Sequence, residues 1–261
     1  MTRPADLRAD DRVLIVNGDD FGRTPGINSG VIRAYDDGIL TSASLMVRWP
    51  AAVGATAYCR TRPDLSLGLH LDLGEWVFRE GVWQSQYQVV ESSDPNAVRD
   101  EVRAQLDAFR RLVGRDPSHL DSHQHVHLQE PVRSVLLEAA RSLQVPTRAC
   151  SPHVRYCGDF YGQTGTGEPW PEGITVDAFL RMVKGLGPGI TELSCHPGQD
   201  DDFDSVYCVE RARELRVLCD PDVRRALDEA GVRLVPFPSD TQEHVKRQDD
   251  DDDPVRSSVS D

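Results

Sequence analysis

Short apolar runs alternate with longer amphipathic segments along most of the chain. Residues 12–17 are a continuous apolar run closed by turn residues, which is typical of a strand buried on both faces. In residues 94–113 the apolar positions Val98, Val102 and Leu106 recur at a spacing of four, which predicts an amphipathic helix. This alternation of strands and helices predicts an α/β fold with a parallel sheet covered by helices.

The predicted strands cover residues 12–17, 41–47, 65–71, 119–127, 145–149, 190–195 and 232–237. The predicted helices cover residues 26–37, 50–60, 94–113, 131–143 and 176–186, with one or two more between 206 and 230. Residues 72–93 and 150–172 contain glycine and aromatic residues without a helical period, so we expect loops there. Polar motifs end four of the strands. This favours a TIM-barrel-like (β/α) barrel of about seven parallel strands over an open doubly wound sheet, which collects ligands at one switch point.

The length of 261 residues fits one large domain, which we place at residues 1–238. Residues 239–261 include a run of five aspartates and are expected to form a solvated, disordered tail. The formal net charge of −14 disfavours nucleic-acid binding, because an acidic surface repels phosphates. We find no signal peptide, no run of 18 apolar residues and no closely spaced cysteine pair. We therefore expect a cytoplasmic protein with free thiols and no membrane span.

The segment HLDSHQHVH at residues 119–127 carries the strongest candidate chemistry. Because successive side chains of a strand point to opposite faces, a strand here would place four polar groups on one side. These four are Asp121, His123, His125 and His127. If they are buried in a core, such polar groups need hydrogen-bond or metal partners. Imidazole and carboxylate groups together are suitable ligands for a divalent metal ion. The alternative is a surface histidine run without chemical consequence.

Three further polar motifs follow predicted strands: the pair Asp19 and Asp20, then His70, then His196. Each also has an ordinary structural explanation, as a helix cap or turn, a core histidine, and a turn before Pro197. Together with the histidine segment they supply about three metal ligands and leave a coordination position open, as a catalytic metal site requires. We find no glycine-rich phosphate-binding motif, so no nucleotide cofactor is expected.

Four blocks of the sequence resemble those of the YdjC-like carbohydrate deacetylases. They are NGDDFG at 17–22, GLHL at 68–71, HLDSHQHVH at 119–127 and ELSCHPG at 192–198. The resemblance runs in order and spacing from about residue 13 to residue 237. The family includes chitooligosaccharide deacetylases and a branch linked to hopanoid biosynthesis. The resemblance implies a metal-dependent hydrolase that removes the acetyl group from an N-acetylated sugar by attack of metal-bound water.

The resemblance also implies a role for each matching residue. Asp20, His70 and His123 would bind one divalent ion, Zn²⁺ or Mg²⁺. Asp19 would be the general base, and His196 the general acid that protonates the leaving amine. The residues expected to line the site or to orient its ligands are Asp121, His125, His127 and Asp72.

The sequence departs from the family pattern at Gly18, Asp72 and Gly74. Gly18 stands where alanine is usual, which should only loosen the turn. Asp72 and Gly74 stand where asparagine and threonine are common. We expect Asp72 to add a carboxylate near the metal, which would alter the choice of metal or the polarity of the substrate.

The expected partner is a small N-acetylated sugar or amino-sugar conjugate, and the sequence is compatible with a homo-oligomer. The first alternative is a phosphoesterase with two or three metal ions, in which Arg23, Arg148 and Arg155 would serve the phosphate. The second is a barrel that binds a sugar or a metal without catalysis. The presence of Asp19 and His196 opposes it, because binding alone needs neither a base nor an acid.

Overall fold

The computed structural model describes residue 8, residues 10–199 and residues 207–237. The predicted tail and the domain boundary at residue 238 lie outside the described residues. The strands are β1 (Arg12–Phe21), β2 (Ser42–Leu45), β3 (Ser66–Leu71), β4 (Gly74–Arg79), β5 (Val82–Gln88), β6 (Leu120–Ser122), β7 (Val154–Cys157), β8 (Gly189–Cys195) and β9 (Val232–Leu234). The helices are α1 (Pro25–Asp36), α2 (Ala52–Cys59), α3 (Pro95–Val113), α4 (Val132–Leu143), α5 (Val176–Gly185), α6 (Val209–Leu218) and α7 (Pro221–Glu229).

Seven of these strands form one parallel sheet in the order β6-β3-β2-β1-β8-β7, with β9 also paired to β1. β8 pairs along β1 from Arg12 to Gly18, so β2 and β9 share the opposite edge of β1. The curled sheet forms a half-barrel, which confirms the predicted α/β fold of the (β/α)-barrel type. Its strands end on one rim, where the polar motifs lie.

β1 is buried along its length because both faces of the sheet are covered. Leu14 and Val16 belong to the large apolar core that also takes in residues of the helices. Val13 and Ile15, whose positions alternate with those residues, belong to a separate and smaller apolar cluster. The continuous apolar run predicted at residues 12–17 therefore reflects burial on both faces.

The helices begin where the sequence places capping residues. Thr24 Oγ1 accepts a hydrogen bond from the Ile27 amide at 3.1 Å at the start of α1, and Asp94 Oδ1 accepts one from the Asn96 amide at 2.9 Å at the start of α3. α3 ends at Gly114, whose φ of 82° closes the helix without steric strain. None of the described helices is long and apolar enough to cross a membrane.

The predicted loop at residues 72–93 is wrong, because β4 and β5 form an antiparallel hairpin there. Its turn is Glu80–Gly81, where both residues have positive φ values of 53° and 80°, as in the tight turns that join twisted strands. The side chains of β5 are mostly exposed, so the strand lacks the apolar alternation that marks a half-buried strand.

Three other predicted elements are corrected. The predicted strand at residues 145–149 is reduced to a single bridge between Thr147 and Leu120, and β7 lies instead within the predicted loop at 150–172. The predicted histidine strand ends at Ser122. A 3₁₀ turn, His123–Leu128, follows it, and we call this segment the histidine turn.

Candidate active site

The end of β1 supplies two adjacent carboxylates, Asp19 and Asp20. Both are buried, because β1 remains in the sheet to Phe21, beyond the predicted end of the strand. Asp20 has a φ of 62°, and its carbonyl accepts a hydrogen bond from the Arg23 amide at 3.0 Å as the chain turns. The pair therefore lies at the rim where the strand becomes a tight turn.

Three side chains from separate elements converge beside this turn. Asp20 Oδ1 lies 3.4 Å from His70 Nε2 and 3.1 Å from His123 Nδ1. His70 belongs to β3, and His123 begins the histidine turn after β6. Their ligand atoms all lie within 4.8 Å of one another. The structure thus brings together the three residues predicted to bind a metal.

The donor set of this cluster fits a divalent ion. Asp20 Oδ1 is buried and has no hydrogen-bond partner among the described residues, although two imidazole nitrogens lie nearby. A buried carboxylate oxygen without a partner is unfavourable, and a cation placed between the three atoms would relieve that. One carboxylate and two imidazoles match an open catalytic metal site.

Asp121 contacts His70 at Nδ1, the ring nitrogen on the side away from Asp20. Asp121 Oδ1 lies 2.8 Å from His70 Nδ1, while Ser44 Oγ donates to Asp121 Oδ2 at 2.6 Å. Burial opposes a charge on His70, but the Asp121 carboxylate beside it raises the pKa of His70 to about 10. This hydrogen bond directs Nε2 of His70 toward Asp20, which is the orienting position expected for Asp121.

Arg148 compensates three buried carboxylates. It is 1% exposed, and its Nη1 and Nη2 donate to the two oxygens of Asp19 at 2.6 and 2.7 Å. Its Nε donates to Glu192 Oε1 at 2.6 Å, and its Nη2 lies 2.8 Å from Asp121 Oδ2. Burial would raise the pKa of Asp19, but the Arg148 guanidinium outweighs that effect and lowers the pKa. Asp19 is therefore held ionised and in one orientation.

Asp19, His70 and Asp121 form a second group whose ligand atoms lie within 4.8 Å of one another. The guanidinium of Arg148 is bonded to both carboxylates of this group, at 2.6 Å to Asp19 and 2.8 Å to Asp121. A cation of the protein itself thus already compensates the second group. The geometry favours one metal ion rather than two.

His196 follows β8 and lies on the other side of Asp19. Its Nε2 is 3.7 Å from Asp19 Oδ2, and its ring lies edge-on to Tyr161 and Tyr207 at centroid distances of 5.4 and 5.5 Å. Burial lowers the pKa of His196 to about 4, although Asp19 opposes the shift. His196 is therefore neutral at neutral pH, and its Nε2 lies near the carboxylate of Asp19 without a hydrogen bond to it.

Glu214 of α6 fixes the backbone of His196. It accepts hydrogen bonds from the His196 amide and from the Tyr207 hydroxyl. Burial raises the pKa of Glu214 to about 8, although these hydrogen bonds oppose the shift. The loop that carries His196 is thus tied to α6.

Arg211, also on α6, pairs with the second oxygen of Asp20. Its guanidinium lies 5.7 Å from the ring centroid of Tyr207. Because Arg211 occupies Asp20 Oδ2, the unpaired oxygen Oδ1 remains directed at the two histidines. α6 therefore orients both a predicted metal ligand and the loop of the predicted general acid.

His125 and His127 do not share a strand face with His123, because Gln124 and His125 have φ values of 51° and 54° and break the predicted alternation. His127 Nδ1 lies 2.6 Å from Ser122 Oγ, and its Nε2 lies 3.1 Å from the carbonyl of Arg148. His127 thus contacts the segment that carries Arg148 and is not one of the grouped metal donors.

His125 contacts a different neighbour. Its Nε2 lies 3.1 Å from the hydroxyl of Tyr156, which lies 2.9 Å from Ser194 Oγ. Burial lowers the pKa of His125 to about 3, and the nearby Arg148 acts in the same direction. His125 is thus a neutral, partly exposed group on the side of β7 and β8, and its predicted role in lining the site stays a prediction.

Asp72 lies at the base of the hairpin β4–β5. Its carboxylate accepts hydrogen bonds from Trp49 Nε1 at 3.2 Å, from the Tyr87 hydroxyl at 3.0 Å and from the Gly74 amide at 3.1 Å. It belongs to neither group of candidate metal ligands among the described residues. Its contacts are those of an anchor for the hairpin, and its predicted effect on the metal or substrate stays untested.

The sequence did not identify Arg148 or Arg211 as partners of the two aspartates. Arg148 is 129 residues from Asp19 in sequence, and Arg211 is 191 residues from Asp20. One signal was available: a cluster of buried carboxylates needs cations, and arginine supplies nearly all the positive charge of this chain. That signal predicts arginines in the site but does not say which ones.

The chain matches one protein family over most of its length. The profile of the YdjC-like proteins matches residues 13–229. A carbohydrate deacetylase of Geobacillus stearothermophilus is 32% identical over 247 residues, which cover 87% of this chain and 97% of that protein. A chitooligosaccharide deacetylase of Citrobacter koseri is 32% identical over 248 residues, which cover 87% of this chain and 98% of that protein.

Solved structures share the fold. A proposed cellobiose-phosphate cleavage protein from Enterococcus faecalis superposes with a TM-score of 0.74 and 27% identity, covering 88% of this chain and 98% of that one. A family 4 carbohydrate esterase from Streptomyces lividans, in complex with acetate, superposes with a TM-score of 0.53 and 14% identity. The match covers 87% of this chain and 93% of that one. At 14% identity, the likeness to the Streptomyces lividans esterase concerns the fold alone.

Proposed function

This chain belongs to the family of YdjC-like proteins, and from that membership we propose that it is a metal-dependent hydrolase that releases acetate from an N-acetylated sugar. Relatives named carbohydrate deacetylase and chitooligosaccharide deacetylase support the reaction and the substrate class. One observation carries the proposal for this chain: the buried, unpaired Asp20 Oδ1 faces nitrogens of His70 and His123.

Asp20, His70 and His123 would hold one divalent ion, Zn²⁺ or Mg²⁺. When bound, such an ion polarises the acetyl carbonyl and lowers the pKa of a coordinated water molecule. Two contacts of the protein orient the ligands: Asp121 fixes the ring of His70, and Arg211 fixes the carboxylate of Asp20. These contacts would keep the ligand atoms in place before an ion arrives.

Asp19 would accept the proton of the attacking water. Arg148 lowers the pKa of Asp19, so the carboxylate is ionised and ready to accept a proton at neutral pH. A carboxylate with a lowered pKa is a weak base and does not retain the proton. His196 Nε2, 3.7 Å from Asp19 Oδ2, would receive it.

His196 would then protonate the leaving nitrogen. Because burial lowers the pKa of His196 to about 4, its protonated form is a strong acid and readily gives up the proton. The water oxygen forms a bond to the acetyl carbon, and the bond between that carbon and the sugar nitrogen breaks. The nitrogen takes the proton from His196, so the products are the free amino sugar and acetic acid, which then ionises to acetate.

A phosphoesterase receives less support from the surroundings of the three arginines considered for phosphate binding. Arg23 pairs with Glu75, and Arg148 is bonded to the carboxylates of the site. Arg155 donates to the carbonyls of Gly187 and Pro188. Each arginine thus already has protein partners. A catalytically inactive binding module is disfavoured by the 3.7 Å contact between the candidate base and the candidate acid.

Acetate release tests the proposal. The full chain would be assayed with N-acetylglucosamine oligomers and with lipid-linked and nucleotide-linked N-acetylated amino sugars, in the presence of Zn²⁺, Mg²⁺ or Co²⁺. We expect turnover of at least one acetylated sugar that a chelator abolishes. We also expect Asp19→Asn to lower kcat by about 10²–10⁴-fold, the usual contribution of a proton-transferring group.

Asp100→Asn is the matched control, because Asp100 lies on the exposed face of α3 and pairs only weakly with Arg103 at 3.6 Å. It should leave turnover unchanged. Unchanged turnover in Asp19→Asn would favour a different base. Release of phosphate from sugar phosphates, without acetate release from any acetylated sugar, would favour the phosphoesterase.

A further inference from the structure

The hairpin β4–β5 places a carboxylate beside His123. Glu75 of β4 is 7% exposed and pairs with Arg23, which follows β1. Glu75 Oε1 lies 4.0 Å from His123 Nε2, and Arg23 Nη1 lies 3.5 Å from the same nitrogen. The outer edge of the His123 ring therefore faces one cationic and one anionic side chain.

The two nitrogens of His123 have different surroundings. Nδ1 is 3.1 Å from Asp20 Oδ1 and belongs to the candidate metal cluster. An imidazole that offers the lone pair of Nδ1 to an ion carries its hydrogen on Nε2, and that hydrogen needs an acceptor. Arg23 has only donors, so its 3.5 Å hydrogen bond to Nε2 belongs to the tautomer that carries the hydrogen on Nδ1. In the tautomer that leaves Nδ1 for an ion, the nearby acceptor is the Glu75 carboxylate, whose Oε1 lies 4.0 Å from Nε2.

We propose that Glu75 is a positioning residue for His123, accepting its Nε2 hydrogen when Nδ1 binds a metal ion. This inference rests on the metal site of the proposed function. It gives His123 a carboxylate partner equivalent to the one that His70 already has in Asp121, at 2.8 Å. Closing the 4.0 Å separation requires a shift of about 1 Å toward ordinary hydrogen-bond distance, which a glutamate side chain can make.

A second contact fixes the hairpin in register with His123. The side chain of Gln124, the next residue, accepts a hydrogen bond from the Trp76 amide at 2.9 Å and donates one to the Trp76 carbonyl at 2.7 Å. Trp76 in turn follows Glu75. The two neighbouring pairs, Glu75 with His123 and Trp76 with Gln124, therefore join the hairpin to the histidine turn. The left-handed φ of 51° at Gln124 is part of this arrangement.

Metal affinity in the absence of substrate tests the proposal. The full chain and the variants Glu75→Ala and Glu75→Gln would be titrated with Zn²⁺ and Co²⁺ against a competing chelator. We expect Glu75→Ala to bind both ions about 10–100-fold more weakly, the usual effect of removing the partner of a metal-bound histidine. Glu75→Gln keeps an acceptor oxygen, so its loss should be smaller.

Glu80→Gln is the matched control, because Glu80 lies in the turn of the same hairpin and is exposed. It removes the same charge and should change the affinity less than twofold. Circular dichroism of each variant establishes that it is folded. A folded Glu75→Ala protein that binds Zn²⁺ as tightly as the unchanged chain would overturn the proposal.

The nitrogen-15 spectrum of histidine-labelled, unsubstituted protein provides a test that needs no variant to fold. With Zn²⁺ added, we expect His123 to be metallated at Nδ1 and protonated at Nε2, with a proton shifted downfield by a carboxylate acceptor. Zinc at Nε2 would overturn the proposal, since Glu75 would then have no hydrogen to accept. Neither measurement involves a sugar, so failure of the deacetylase assay alone leaves both results interpretable.

Discussion

At the scale of single residues, Asp19 and Asp20 are neighbours with opposite surroundings. Both oxygens of Asp19 accept hydrogen bonds from Arg148, whereas Asp20 has one oxygen paired with Arg211 and the other unpaired. Adjacent carboxylates therefore serve two purposes. One is compensated within the protein, and the other is left open for an ion.

Replacing Arg148 tests whether this arginine compensates the charge of Asp19 and its buried neighbours. We expect Arg148→Gln to lower the free energy of unfolding by about 3–5 kcal/mol, because buried carboxylates lose their cation. The loss should be smaller at pH 5 than at pH 8, since carboxyls without a cation have raised pKa values and can take up protons. Urea unfolding at the two pH values measures both effects.

Arg155→Gln is the control for Arg148→Gln. Arg155 is exposed and donates to the carbonyls of Gly187 and Pro188 at 2.9 and 2.8 Å. Its replacement should lower the free energy of unfolding by about 1 kcal/mol, with little dependence on pH. Equal losses in the two variants would contradict the compensating role of Arg148.

The lowered pKa of His196 predicts the pH profile of the reaction. With a pKa of about 4, His196 is neutral above that pH and charged below it. The proposed sequence begins with neutral His196, so kcat/KM at saturating metal should stay level from about pH 6 to pH 8 rather than change near the usual histidine pKa of about 6.5. An inflection near pH 6.5 that disappears in the residual activity of His196→Gln would contradict this.

The residues that the sequence identified lie in short motifs, and those it missed do not. Asp19, Asp20 and His70 stand at strand ends in an apolar context, so their positions follow from local pattern. Arg148, and Glu75 in its proposed role, act on partners that are distant in sequence, and such partners are brought together only by the fold. Local pattern therefore predicts the donors of the site but not the groups that orient them.

At the scale of elements, the histidine segment shows where alternation misleads. Alternating polar residues predict a strand, but the left-handed backbone at Gln124 and His125 turns the chain after Ser122. The turn places His123 and His127 in different environments. Only His123 among the three histidines of the turn belongs to a candidate metal cluster among the described residues. The chemistry of the segment was predictable, whereas the backbone geometry was not.

Contact between α1 and the loop after β8 positions His196. A Cβ atom on Gly30 of α1 would lie 2.4 Å from Gly198 Cα and 2.7 Å from the carbonyl carbon of Pro197. We therefore expect Gly30→Ala to displace the loop, to destabilise the protein by about 1–3 kcal/mol, and to lower kcat/KM by about 10²-fold. Thermal unfolding and steady-state acetate release measure the two effects.

Gly54→Ala provides the comparison, because Gly54 is an exposed glycine within α2. A Cβ there would meet only Asn28 Nδ2, at 3.9 Å. Alanine is preferred over glycine inside a helix, so this variant should gain about 0.5–1 kcal/mol and keep its activity. If Gly30→Ala behaves like Gly54→Ala, close packing of α1 does not position His196.

At the scale of the whole molecule, the parallel sheet gathers the motifs on one rim. Asp20 is the next-to-last residue of β1, His70 is near the end of β3, and His196 follows β8. In parallel strands the carboxyl ends lie at the same edge, so motifs scattered along the chain meet there. This arrangement, predicted from the polar motifs at the ends of strands that alternate with helices, did not require knowledge of the individual contacts.

The ligand groups at this rim predict the number of metal ions bound per chain. The two ligand groups among the described residues share His70, and only the first keeps a buried carboxylate oxygen without a hydrogen-bond partner, Asp20 Oδ1, so we expect one ion per chain at saturation. Equilibrium dialysis followed by elemental analysis measures the ratio, and Asp20→Asn should reduce it to near zero. Two ions per chain would favour the phosphoesterase alternative.

The central position of β1 has a consequence for biosynthesis. Arg12 of β1 is opposite Gly189 of β8 on one edge and Val232 of β9 on the other, so the start of this strand acquires its neighbours from segments that are translated much later. On the ribosome, the emerging polypeptide keeps an apolar, unpaired segment until those residues appear. Because late pairing of distant segments slows folding, we expect this part of the nascent chain to be exposed to aggregation until β8 and β9 have been made.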